Sequence, residues 1–120
     1  MPFKTASDLI AEAKSRIREV TVAEIARSVG TGAAPIFLDV REPNETNLGR
    51  VKGAMRIPRG TLEGKIEAAI PRDARIVVYC ASGNRSAFAV DTMQQMGYTN
   101  AANLIGGWNA WVGADGPTEG

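Results

Sequence analysis

Residues 75–86 read Arg-Ile-Val-Val-Tyr-Cys-Ala-Ser-Gly-Asn-Arg-Ser. The first five form a continuous run in which residues 76–79 are β-branched or aromatic, which is typical of a strand buried on both faces. A polar loop with one glycine follows, and residues 86–96 then place Ala89, Val90 and Met93 at helical spacing. The stretch therefore predicts a buried strand, a tight loop and a helix, which together form the unit of a parallel α/β sheet.

The rest of the chain repeats this alternation of strands and helices. The sequence predicts further strands over residues 36–40, 53–58 and 101–104. It predicts helices over residues 7–18, 22–29, 61–70 and 107–111, and a short one that begins at Pro43. Gly30 and Gly32 are expected to end the second helix. We expect one α/β domain of three layers, with a central, mainly parallel sheet flanked by helices.

Composition limits the kinds of protein this can be. The chain has 120 residues with 44% hydrophobic residues, enough for one compact domain. Its net charge of +1 and lack of a basic run argue against a nucleic-acid partner. No apolar run approaches the roughly 18 residues that cross a bilayer, and the start has no apolar signal-peptide core. We therefore expect a cytoplasmic protein with no membrane contact.

The chain contains one cysteine and no histidine. An intrachain disulfide is therefore excluded, and no second thiol can resolve an oxidised first one. The absence of imidazole also removes the Cys-His pair, the Ser-His-Asp triad and nearly all zinc sites. The sequence predicts no metal and no cofactor, and a reactive cysteine here would need activation without histidine.

Cys80 is the candidate nucleophile, because it follows the predicted strand 75–79 directly. Ligands of parallel sheets bind at the carboxyl ends of strands, and the amides and dipole of a following helix lower a thiol pKa. Gly83 permits a tight loop, and Arg85 adds a permanent cation that can hold an oxyanion. A lone cysteine that ends a strand can equally be a small buried hydrophobic residue.

Four motifs, in order, resemble those of the rhodanese family between Thr21 and Trp111. They are Asp39-Val40-Arg41-Glu42 with Glu45, Gly49-Arg50-Val51-Lys52-Gly53-Ala54 with Ile57-Pro58, the loop Cys80 to Ser86, and Gly106-Gly107-Trp108-Asn109-Ala110-Trp111. The resemblance implies a rhodanese domain over residues 21–113. Residues 1–20 would form an N-terminal helical extension, and residues 114–120 a frayed tail.

The resemblance also implies a sulfurtransferase. Cys80 would take a sulfane sulfur from a small anionic donor such as thiosulfate and pass it to a thiophilic acceptor, cyanide or a thiol. A protein is a further candidate acceptor. Arg85 would act as an electrostatic clamp on the donor. The remaining loop residues would bind substrate; they are Ala81, Ser82, Gly83, Asn84 and Ser86.

Five more charged residues are candidates for a supporting role. Asp39 and Arg41 end a predicted buried strand, and mutual pairing that orients nearby loops is favoured over catalysis for them. Arg50 and Arg56 stand where family members often have histidine and asparagine. With Arg59 and Arg85 they would add positive charge at the mouth of the loop, unless they are merely solvated surface groups.

Two other functions remain open. Cell-cycle phosphatases and arsenate reductases use a similar strand-cysteine-loop-arginine-helix unit, but with five residues between the cysteine and the arginine. Here the four residues 81–84 lie between them, which suits a single sulfur atom better than a tetrahedral oxyanion. The other alternative is a non-catalytic module that uses this fold to bind a protein or to sense sulfur.

Overall fold

The computed structural model describes residues 3–29 and 34–120 of the chain. The predicted stop of the second helix at Gly30 and Gly32 lies outside the described residues. In chain order the described elements are α1 (Ala6–Arg16), β1 (Arg18–Val20), α2 (Val22–Val29), β2 (Ile36–Asp39), α3 (Pro43–Thr46), β3 (Arg50–Val51), β4 (Met55–Arg56), α4 (Leu62–Ala69), β5 (Ile76–Tyr79), α5 (Asn84–Gln95), β6 (Ala101–Leu104), α6 (Gly107–Gly113) and β7 (Thr118–Glu119).

Five of these strands form one parallel sheet in the order β1-β6-β5-β2-β4. β5 lies at its centre, and all four of its residues are buried. β2 lies beside it, with Leu38 opposite Val78 and Asp39 opposite Tyr79. The prediction that both apolar runs lie inside a parallel sheet is confirmed, and their carboxyl ends meet at one edge.

Helices cover both faces of the sheet. Successive side chains of β5 point to opposite faces, so the strand contributes to a separate core on each side. Ile76, Val78 and Cys80 pack into a core with residues of α4 and α5. Val77 and Tyr79 pack into a second core with residues of α2 and α6. The predicted three-layer architecture is confirmed.

The N-terminal segment is joined to the sheet. Thr5 caps α1 through a reciprocal capping box with Asp8, and Arg16 binds Asp91 of α5 by two hydrogen bonds of 3.0 and 2.8 Å. The chain then forms β1, which pairs with β6 at the sheet edge. The sequence predicts only a helix here, since a three-residue strand with two charged residues shows no usable alternation.

The C-terminal segment differs from the frayed tail that was expected. β7 pairs antiparallel with β3, which brings Arg50 opposite Glu119. The Trp111 indole N–H donates to the Pro117 carbonyl at 2.9 Å, and Gly116 lies so close to the indole ring that a Cβ would overlap it. The tail is therefore held by backbone pairing and by one tryptophan. No helix among residues 3–29 and 34–120 is both long and apolar enough to cross a bilayer.

Candidate active site

The loop that carries Cys80 begins where β5 ends and leads straight into α5. Gly83 adopts the left-handed region at φ 105°, which lets the chain turn within three residues. This turn aims the first amides of α5 back at the cysteine. The position predicted from the sequence, between the central strand and a helix N-terminus, is the one that the structure shows.

The Cys80 sulfur lies in a cradle of hydrogen-bond donors. The amides of Gly83 and Ser86 lie 3.2 and 3.4 Å from Sγ, and the Ser86 hydroxyl lies 3.4 Å from it. Cys80 is 1% exposed. Burial raises the pKa of this thiol, but the donors of Ser86, Gly83 and Ser82 outweigh burial, so the pKa lies below its ordinary value. The geometry thus favours the thiolate without a histidine.

Arg85 already has an acidic partner. Its Nη1 and Nη2 donate to the two carboxylate oxygens of Glu45 at 2.7 and 2.9 Å. This ion pair lowers the pKa of Glu45 to about 2 and raises that of Arg85. The Cys80 sulfur also contributes to the raised Arg85 pKa, so the guanidinium lies within electrostatic range of the sulfur. The sequence predicted Arg85 as a clamp for the donor and did not predict this partner.

Asp39 and Arg41 form a buried ion pair with each other. The Arg41 guanidinium binds both carboxylate oxygens of Asp39, with the shortest contact at 2.8 Å, and donates to the Gly49 carbonyl at 2.7 Å. Its Cζ also lies 4.8 Å from the centre of the Trp108 ring. The pair joins the end of β2 to the segment before β3 and to α6, which is the loop-orienting arrangement favoured by the sequence.

The start of α6 holds the loop from the other side. The Trp108 amide donates to the Cys80 carbonyl at 2.8 Å, and the Asn109 amide donates to the Ala81 carbonyl at 3.1 Å. Gly107, at φ 54°, lies so close to the Cys80 carbonyl that a Cβ would overlap it. Gly107 therefore allows the N-terminus of α6 to contact the backbone of the loop directly.

The profile of the rhodanese-like domain matches residues 21–114, which include every one of these site residues. The chain belongs to the rhodanese-like family. A sulfurtransferase from Allochromatium vinosum is 30% identical over 96 residues, which cover 80% of this chain and 89% of that protein. The thiosulfate sulfurtransferase PspE of Escherichia coli is 35% identical over 62% of this chain and 72% of its own length.

Some relatives are longer proteins. The probable adenylyltransferase/sulfurtransferase MoeZ of Mycobacterium tuberculosis is 33% identical over 78% of this chain, but the match spans only 24% of MoeZ. Among solved structures, a Rhodopseudomonas palustris protein of unknown function, described as a possible tyrosine phosphatase, is 34% identical with a TM-score of 0.86 over 99% of both chains. A rhodanese-related protein from Thermoplasma volcanium is 32% identical with a TM-score of 0.76, over 85% of this chain and 97% of that one.

The arginines expected at the mouth of this rhodanese-like site have different surroundings. Arg50 lies 3.7 Å from Glu119 and donates to the Thr46 carbonyl. Arg59 binds Glu63 at 2.9 Å and Thr92 at 3.2 Å. Arg56 forms no ion pair with any described residue and lines a cavity of about 190 Å³ together with Arg41. A larger apolar cavity of about 530 Å³ is lined by residues of α2, β2, β3 and the C-terminal segment, with Lys52, and by none of the loop residues.

Asn103, which the sequence did not predict as a site residue, is fully buried beside the loop. Its Nδ2 donates to the Gly83 carbonyl and to Glu19 Oε2, each at 3.0 Å, and its Oδ1 accepts from the Ser86 hydroxyl at 2.5 Å. A polar residue in the middle of the otherwise apolar strand 101–104 was the available clue. Glu19 lies on β1, before the residues that match the family profile.

Proposed function

We propose that this chain is a sulfurtransferase in which Cys80 carries the transferred sulfur as a persulfide. The observation that carries the proposal is the cradle: at the start of α5 the amides of Gly83 and Ser86 point at the only thiol of the chain, and the Ser86 hydroxyl lies 3.4 Å from its sulfur. Donors that converge on one sulfur stabilise a thiolate and would equally stabilise the anionic persulfide.

The proposed reaction is two displacements at sulfur. The Cys80 thiolate attacks the outer sulfur of thiosulfate, an S–S bond forms, and the bond to the sulfite sulfur breaks, so that sulfite leaves with the electron pair. Cyanide or a thiolate then attacks the outer sulfur of the persulfide and releases the Cys80 thiolate. Neither step moves a proton between groups, which is why a chain without histidine can perform both.

Arg85 and Arg56 supply the positive charge that the first step needs. An anionic donor must approach an anionic sulfur, and a nearby guanidinium offsets the repulsion. Arg85 keeps this role in the proposal although it is bound to Glu45, because its side chain remains 41% exposed. The cradle residues would hold the outer sulfur; they are Ala81, Ser82, Gly83, Asn84 and Ser86.

The relatives support sulfur transfer and widen the range of acceptors. PspE is named for thiosulfate, whereas YrkF of Bacillus subtilis, 30% identical to this chain, is named a putative sulfur carrier protein. The names of MoeZ and of uba4, the latter from Ogataea parapolymorpha, give each protein both an adenylyltransferase and a sulfurtransferase activity. We therefore keep a protein as a candidate acceptor beside cyanide and small thiols.

The proposal is tested by the intact mass of the protein after incubation with thiosulfate. We expect the mass to increase by one sulfur atom, and cyanide to remove that atom. The Cys80→Ser variant should show no such increase, and its circular dichroism spectrum should show that its fold is retained. A mass gain without turnover would identify a sulfur-binding or sensing module instead. No mass gain, together with hydrolysis of an aryl phosphate, would favour the phosphatase alternative that the Rhodopseudomonas palustris relative suggests.

A further inference from the structure

The hydrogen bonds around Asn103 fix the direction of its side-chain amide. Nδ2 contacts the Gly83 carbonyl and the Glu19 carboxylate, and both of these groups only accept hydrogen bonds. A reversed amide would place its oxygen against two acceptors. The NH₂ group must therefore face Glu19 and Gly83, which leaves the amide oxygen facing Ser86.

Ser86 has one hydroxyl proton and two acceptors within reach. Asn103 Oδ1 lies 2.5 Å from Ser86 Oγ, whereas Cys80 Sγ lies 3.4 Å away. Because the contact with Asn103 is so much the shorter of the two, the proton is directed to Asn103 in this arrangement. The Ser86 hydroxyl can stabilise the Cys80 thiolate fully only when it turns away from Asn103.

We propose that Glu19 is a positioning residue for Cys80: together with the Gly83 carbonyl it fixes the Asn103 amide, and it thereby directs the Ser86 hydroxyl proton away from the sulfur. This inference rests on the proposed function in so far as it makes Cys80 the nucleophile. A thiolate with one fewer hydrogen bond is more basic and more nucleophilic. Glu19 would thus limit how far the hydrogen bonds of the cradle lower the nucleophilicity of the Cys80 sulfur. It lies on β1, before the residues that match the family profile.

The other charged groups around the loop stay constant in the test. Arg85 at the start of α5 faces the sulfur and is bound to Glu45 of α3. The Asp39–Arg41 pair lies at the end of the neighbouring strand β2. None of these four side chains contacts Glu19 or Asn103 by a hydrogen bond.

Two substitutions of Glu19 separate the effect of its hydrogen bond with Asn103 from the effect of its charge. Glu19→Asp keeps the charge but withdraws the carboxylate from Asn103. Glu19→Gln loses the charge but keeps an oxygen that can accept from Nδ2. If Glu19 acts through Asn103, the pKa of Cys80 should fall by about 0.5–1 unit in the aspartate variant and by less in the glutamine variant.

The measurement is a pH titration of the thiolate by its ultraviolet absorbance, with Cys80→Ser as the blank. Because the chain has a single cysteine, the difference signal belongs to Cys80. Glu12→Gln, on the outer side of α1 and paired with Lys4, should leave the midpoint unchanged. In a Ser86→Ala background, Glu19→Asp should cause no further shift, because the hydroxyl that it redirects is gone.

Three results would overturn the inference: an unchanged midpoint in Glu19→Asp, a glutamine shift as large as the aspartate shift, or an aspartate shift that persists without the Ser86 hydroxyl. The second would mean that Glu19 acts by charge alone. The titration uses no sulfur donor, so it gives its answer even if thiosulfate fails to load Cys80, and a failure of the proposed function is seen separately in the mass measurement.

Discussion

Gly107 sets how closely α6 approaches the loop that carries Cys80. Its φ of 54° is unfavourable for other residues, and a Cβ there would overlap the Cys80 carbonyl oxygen and crowd the Ala81 backbone. Backbone atoms cannot rotate away as a side chain can. Any larger residue must therefore push α6 away and lengthen the hydrogen bond from the Trp108 amide to the Cys80 carbonyl.

We expect Gly107→Ala to lower the free energy of unfolding by about 1–3 kcal/mol and to slow persulfide formation. Gly64→Ala is the matched control, because Gly64 lies in α4 with open space around its Cβ position. There alanine should stabilise the protein by about 0.5–1 kcal/mol. Urea unfolding and the rate of mass gain with thiosulfate measure both effects. Equal stability of the two variants would show that the close approach is no constraint.

The position of Cys80 could be predicted from the sequence, whereas the partners of its neighbours could not. Strand, loop and helix are local patterns, so residues 75–86 suffice to place the cysteine. Glu45 is 40 positions from Arg85, and Glu19 is 84 positions from Asn103. Hydrogen bonds across such separations depend on how the strands are ordered in the sheet, and no local periodicity encodes that order.

The ion pair between Glu45 and Arg85 connects α3 to the start of α5. Because Arg85 lowers the pKa of Glu45 from an unfolded value of about 4.3 to about 2, the carboxylate favours the folded state. This contribution is fully present above the unfolded pKa. It is lost as the pH falls from about 4.3 to about 2, because the unfolded chain takes up the proton first.

We expect Glu45→Gln to lower the free energy of unfolding at neutral pH by about 1 kcal/mol or less, since both side chains are partly exposed and solvent screens the pair. The difference from the native protein should shrink as the pH approaches 2. Urea unfolding across a pH series measures it. Glu67→Gln, which removes the more exposed pair with Arg72, should have a smaller effect. If Glu45→Gln lowers the free energy of unfolding by the same amount at every pH down to 2, the pair with Arg85 is not the source of the lowered Glu45 pKa.

The long, strongly patterned elements were predictable, and the short edge elements were not. The apolar runs of β2 and β5 and the helical spacing of α5 carry their own periodicity. β1 and β7 have three and two residues, and charged side chains in both give no alternation. Their pairing depends on a neighbouring strand that is already in place, so tertiary context forms them. For the same reason the expected tail proved to be a strand.

The charge of the chain is nearly balanced, so any attraction of an anionic donor must be local. Arg50 and Arg59 face Glu119 and Glu63, which reduces their contribution. Arg56 lies opposite Asp39, which in turn lies opposite Tyr79, the residue before Cys80. Two strand spacings separate Arg56 from the cysteine strand, about 10 Å. That is about one Debye length at 0.1 M salt, so Arg56 can act on the donor at low ionic strength.

We therefore expect kcat/KM for thiosulfate to fall by about twofold to threefold as ionic strength rises from about 0.01 to 0.15 M. Arg56→Ala should lower the low-salt value and flatten the salt dependence, because the attraction that salt screens is then weaker. Arg59→Ala is the control; it should leave the slope nearly unchanged, since Glu63 already offsets that charge. Two results would show that Arg56 is a solvated surface group without a role in donor approach. One is a kcat/KM of the native protein that does not change with ionic strength, and the other is an Arg56→Ala variant whose kcat/KM depends on ionic strength as strongly as that of the native protein.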